Sequence, residues 1–89
     1  MPNFFDLMNR LKAFVYYDDH GEPHYHVCRG RDSLAKVRMS DFQVIDGSVE
    51  TRVVRELERL HNNNLAEVTE RLTKIRNGEP VPSRPINRA

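Results

Sequence analysis

Three of the four histidines fall within the run Asp18-Asp19-His20-Gly21-Glu22-Pro23-His24-Tyr25-His26. On an extended backbone His24 and His26 project from the same side of a strand, about 6.6–7 Å apart, so their rings can converge on one ion or one phosphate. Neutral imidazole is the commonest metal ligand. His24 and His26 with the Asp19 carboxylate would make a two-histidine, one-carboxylate set, and His20 is a further candidate ligand; no cofactor is expected unless this cluster takes a divalent metal. The same pair beside Arg29, Lys36 and Arg38 also matches what a metal-free ribonuclease requires. One imidazole takes the 2′-hydroxyl proton, the other protonates the leaving oxygen, and the cations stabilise the charged phosphorane. Without catalysis, Arg29, Lys36 and Arg38 remain contacts for RNA phosphates. The structural alternative is that the histidines hydrogen-bond the loop shaped by Gly21 and Pro23, with Cys28 a small apolar residue at a strand end. No Gly-rich phosphate loop, nucleophile elbow or zinc-finger spacing is present.

The elements that must position these residues follow from periodicity. Lys12 to Tyr17 is rich in β-branched and aromatic residues and ends in turn formers, which predicts a strand and a loop. His24 to Arg29 and Leu34 to Met39 alternate on either side of Gly30, Asp32 and Ser33, which predicts a hairpin. Period two then puts Tyr25 and Val27 on one face, with His24, His26 and Cys28 on the other. Phe42 to Ile45 could add a short fourth strand ending at Asp46-Gly47. Phe4, Phe5, Leu7, Met8 and Leu11 suit either a short amphipathic helix or the start of the first strand.

From about Glu50 the period becomes helical. Val53, Leu57 and Leu60 share one face, and Leu65, Val68, Leu72 and Ile75 repeat at three and four. The step from Leu60 to Leu65 loses phase at Asn62-Asn63-Asn64, and Asn64 with Glu67 has capping-box spacing, which predicts a break. One helix from 50 to 76 would be about 40 Å long, too long for a domain of this size, although His61 could fill a continuous seam with Val54, Leu57 and Leu65. Asn77-Gly78 then Pro80 mark the C-terminal cap. The expected fold is α+β: a small antiparallel sheet of three or four strands followed by two C-terminal helices packed on its Tyr25, Val27, Ala35 and Val37 face. Residues 1–79 form the single domain and 80–89 an extended or disordered tail containing Pro80, Pro82 and Pro85.

Composition narrows the function classes. Eighty-nine residues allow one small core. The longest apolar run, Ala13 to Tyr17, is five residues, against about 20 for a membrane span. The opening Met-Pro-Asn-Phe-Phe-Asp lacks the pattern of a secretion signal, so the cytoplasm is the expected compartment. Cys28 is the only cysteine, which excludes an internal disulfide and a thiolate metal cage. A net charge of +1 is far from that of a protein that coats nucleic acid. The charges are segregated, however, with Asp18, Asp19 and Glu22 together and Arg29, Arg31, Lys36 and Arg38 following.

The run Tyr16-Tyr17-Asp18-Asp19-His20-Gly21-Glu22-Pro23-His24-Tyr25-His26-Val27 resembles the Pro-Pro-His-Phe-His-Val signature of the uncharacterised prokaryotic domain of unknown function 4160 family, and Arg76-Asn77-Gly78-Glu79-Pro80 resembles its closing motif. With Val44-Ile45-Asp46-Gly47 and a helix between them, the resemblance covers most of residues 11 to 82. Glu22 stands in place of a proline, Tyr25 in place of Phe and Leu72 in place of a tryptophan. The family has no established activity. The resemblance implies a small protein often encoded beside a second small protein, similar to a toxin–antitoxin pair. The expected function is therefore that of a small cytoplasmic regulatory component acting through protein or RNA contacts, with a histidine-dependent ribonuclease or a metal-binding domain as alternatives. Whether it is an enzyme stays open.

Overall fold

The computed structural model describes residues 2–16 and 21–88. Five antiparallel strands lie in sequence order: β1 (Asn3–Asp6), β2 (Lys12–Tyr16), β3 (His24–Arg29), β4 (Asp32–Arg38) and β5 (Val44–Gly47). Two helices follow, α1 (Thr51–Asn63) and α2 (Leu65–Arg76). The α+β fold is the expected one, but the sheet has five strands where three or four were expected. The added strand is β1, which alternation could not reveal. Asn3 pairs with Phe14 and Phe5 with Ala13, so Phe4 is an extra residue in a bulge. The bulge lets two consecutive phenylalanines enter the core, and both are fully buried.

One face of the sheet carries the core. Ala13, Val15, Tyr25, Val27, Ala35 and Val37 are buried on it, with Val53 and Leu57 from α1 and Val68 from α2 completing the packing. The Cα radius of gyration is 11.9 Å. The helix does break at Asn64, whose φ of −129° and ψ of 31° leave the α region. The expected capping box does not form. Asn64 makes no side-chain bond to α2; its Nδ2 donates to the Leu60 carbonyl, 2.8 Å away, so it closes α1. At the other end of α2, Glu79 N donates to the Lys74 carbonyl and Gly78 N to that of Ile75, with Gly78 at φ 72°. This is the Schellman ending that Asn77-Gly78 predicted.

The 80–88 segment bends at Ser83 and Arg84 and is fastened back onto β1 through the 3-10 turn Ile86–Arg88. Ile86 is buried, Asp6 N donates to Asn87 Oδ1 at 3.0 Å, and Asn87 Nδ2 donates to the Asp6 carbonyl at 2.8 Å. Arg71 in α2 is the clamp. Its guanidinium, 5% exposed, donates to the Arg84 carbonyl at 2.8 Å, pairs with Glu67 at 3.1 Å and lies 5.5 Å from the centroid of the Phe4 ring.

On the far edge, β5 begins two residues later than expected and takes in Gly47, opposite Ala35. Gly47 has φ 70°, and a β-carbon there would overlap the Leu34 carbonyl oxygen. Gly30 has a similar φ of 59° but open space around it. Gly47→Ala should therefore cost at least about 2 kcal/mol in urea unfolding, and Gly30→Ala only about 1 kcal/mol. Equal losses would show that the Leu34 overlap is relieved by a backbone shift.

Candidate functional site

Among the described residues both helices pack on one face of the sheet; Phe14, His24, His26, Lys36 and Arg38 on the other, open face are half-buried, and His26 Nε2 is shut off from solvent. Strand register organises the open face into cross-strand rows. Phe14, His26, Lys36 and Asp46 stand opposite one another from β2 to β5, and His24 is opposite Arg38 in the next row. Tyr25 and Val27 are fully buried while His24 and His26 are half-buried on the open side, as alternation predicted.

The two imidazoles lie against each other, ring centroids 4.7 Å apart and tilted by 36°. Atoms in contact stand about 3.5–4 Å apart, so no phosphate fits between these rings. The two rings form one tilted stack, with Phe14 next to it across the sheet. His24 Nδ1 donates to the Glu22 carbonyl at 3.2 Å, which sets the tautomer and orients the ring. Burial, then the neighbouring His24 and Lys36 charges, hold the His26 pKa below the ordinary histidine value, so His26 is neutral near pH 7.

The expected cations are placed unequally. Lys36 lies in the histidine row, half-buried. Arg38 is held in a fork by Asp41, with Nε to Oδ1 at 2.9 Å and NH2 to Oδ2 at 2.7 Å, so its guanidinium is already satisfied. Arg29 is exposed at the far end of β3. Cys28 is buried, its Sγ 3.8 Å from the His26 carbonyl, and burial pushes its thiol pKa up against the Ser33 hydrogen bond that lowers it. His20 and Asp19, the other expected metal ligands, lie outside the described residues. Among the described residues no group of three His, Cys, Asp or Glu side chains could hold a metal ion, and no helix is long and apolar enough to cross a membrane.

A second polar centre, on the covered side, was legible only as a helix-phase residue. His61 in α1 is buried, and its Nδ1 is 2.8 Å from the Tyr25 hydroxyl. It stands one turn beyond Leu57, so the buried stripe of α1 is Val53, Leu57 and His61. Leu60 is only half-buried, and Leu65, expected in the apolar stripe of α2, is 52% exposed. The Phe42 ring meets His61 edge to face at 5.1 Å. His61 also lines a cleft of about 330 Å³ with Met39, Val68 and Leu72. Burial lowers the His61 pKa against the opposing pull of Glu58, and burial raises that of Tyr25 strongly.

These histidines give stability a defined pH dependence. Both His26 and His61 bind a proton less readily folded than unfolded, so the unfolded chain gains protons first as pH falls through the ordinary histidine value of about 6.5. Stability present above that pH is lost below it. The Tm should fall between about pH 7.5 and about pH 5.5, a window above carboxylate titration. The double variant His26→Gln, His61→Gln should show a smaller fall, and an unchanged fall would assign the effect to other groups.

No curated protein and no solved structure matches the chain at a significant level. A family model described as Domain of unknown function (DUF4160) matches residues 11–71, from the start of β2 to Arg71 in α2. That span holds the open face, the Tyr25–His61 bond and most of the helical layer, and it is more than half of the chain; the protein is a member of the DUF4160 family.

Proposed function

We propose that the protein is a small regulatory component of toxin–antitoxin type that works by holding single-stranded RNA on its open sheet face. The observation that carries this reading is the row of Phe14, His26 and Lys36, closed by Asp46, with His24 against His26, on the face of the sheet opposite the two helices. Planar rings accept unstacked bases, each base–ring contact being worth about 1–3 kcal/mol, and a cation among them accepts a phosphate. The regulatory setting rests on the family resemblance and its paired small proteins. The stacked rings favour binding over cleavage, because an acid and a base that act on one phosphodiester need separate positions around it. A protein partner encoded alongside would then act by covering or completing this face.

Binding of a fluorescent single-stranded RNA, followed by anisotropy between about 50 and about 200 mM salt, tests the reading. Lys36→Ala should weaken binding to every sequence and lower the slope of log affinity against log salt by about 0.7. His24→Ala with His26→Ala should weaken binding with little change in that slope. Absence of binding at the lowest salt would sink the reading, and RNA cleavage lost in either histidine variant would replace it with the ribonuclease.

A further inference from the structure

Antiparallel order brings two hairpin turns to one end of the sheet. The β1–β2 turn is closed by Leu11 N donating to the Met8 carbonyl at 3.1 Å, with Asn9 and Arg10 between them at φ 58° and 62°. Two consecutive positive φ values make this the mirror-image two-residue turn that suits tightly twisted hairpins, and its second position strongly prefers glycine. Here that position is Arg10. The β3–β4 turn, between paired Arg29 and Asp32, uses Gly30 at φ 59° and then Arg31. Since β2 and β3 are neighbours, the two tips stand about two strand spacings, or roughly 10 Å, apart.

This end is basic. Arg10, Arg29 and Arg31 are exposed, and among the described residues none of the three makes an ion pair or a side-chain hydrogen bond. Lys12, 52% exposed, reaches Asp6 at 3.8 Å, and Asp32 is the other carboxylate in these turns and strand ends. Arg10 occupies a backbone conformation in which glycine would be unstrained, while its guanidinium does nothing for the fold. Strain of this kind at an exposed tip points to a use for the side chain outside the folded chain.

We infer that Arg10 and Arg31, at the tips of the two turns, hold the phosphates of an RNA strand whose bases lie on His24, His26 and Phe14; Arg29, on the Tyr25 and Val27 side of β3, is not part of this path. The inference rests on the RNA reading of the open face and extends it by giving the strand a path and a length. From the turn end of β3 to His24 is five residues, about 17 Å. At about 3.4 Å per phosphate, that path spans roughly five phosphates of a stacked strand. An acidic protein segment would satisfy the arginines but leave the rings beside them unused, which favours RNA.

Arg10→Gly provides a test in which stability and binding move in opposite directions. Relief of the left-handed strain should raise the Tm, by roughly 4–8 °C, while RNA affinity falls and the salt slope drops by about 0.7. Arg10→Lys should retain the slope, Arg31→Ala should lower it by about 0.7, and Arg55→Ala on the exposed side of α1 should leave it unchanged. A dinucleotide should bind far more weakly than an RNA of about six nucleotides. If Lys36→Ala weakens RNA binding while Arg10→Gly leaves affinity and slope intact, this inference falls and the open-face reading stands. If the unaltered protein binds no RNA at low salt, both fall. Poly-glutamate bound as tightly as RNA, with the same loss in Arg10→Gly, would assign the end to an acidic partner and overturn the RNA path.

Discussion

Tyr25 joins the two layers, and the surface chemistry depends on its burial. It lies in the middle strand, fully buried, with Phe4 and Phe5 of β1 at ring centroid distances of 6.2 and 6.1 Å and its hydroxyl bonded to His61 of α1. A tyrosine can be buried to this extent only if its hydroxyl finds a partner, since an unmade hydrogen bond there would cost about 1–3 kcal/mol. His61 supplies that partner, one helical turn after Leu57. The pairing fixes the register of β3, because a slip by one residue would put His24 or His26 into the apolar layer and expel Tyr25. The open-face histidines are therefore held in position from behind.

The two edges of the sheet are protected by different means. Along β1, the Asn87 side chain exchanges two hydrogen bonds with the Asp6 backbone, as a neighbouring strand would, and Arg71 holds the segment that carries it. Along β5, four residues with an extra one at Ile45 and a left-handed Gly47 make a short, irregular edge. Short and bulged edges resist pairing with other chains despite the exposure of Val44 and Ile45. The pieces sealed on the β1 side, β1 itself and residues 80–88, lie outside the span of the family match and pack on each other.

Strict alternation in β3 and β4 made the central hairpin and the sidedness of His24 and His26 legible, since period two leaves only two arrangements and Tyr25 with Val27 selects between them. The phase break at Asn62 to Asn64 was legible for the same kind of reason. The function of Asn64 was not, because one residue between two helices can close the first or open the second, and its amide closes the first. β1 was hidden by its bulge, which puts adjacent phenylalanines on the same side and so erases the period. Arg71 was hidden because a polar residue in a helical stripe reads as solvent-facing until its partner, a tail carbonyl, arrives from a distant part of the chain; the phase of His61 put it on a seam but gave no sign of the tyrosine hydroxyl it meets. Arg38 shows the converse: its place in the row is set by register, but Asp41, three residues on in the following turn, takes up its charge.

Net charge says little about a surface of this size. At physiological salt, fields between exposed charges decay over about 8 Å, and the described part of the molecule extends 32 × 30 × 25 Å. A strand lying on one face senses only the charges of that face. Arg38, Arg52 and Lys74 each sit beside a carboxylate within 4 Å, and such exposed pairs, worth about 0–1 kcal/mol to the fold, chiefly cancel local field. On the open side Lys36 stands among the rings with Asp46 opposite it, and exposed arginines lie in the two turns at the end of the sheet. A net charge of +1 therefore conceals a segregated surface, with Lys36 facing Asp46 in the middle of the sheet and exposed arginines gathered at the two turns.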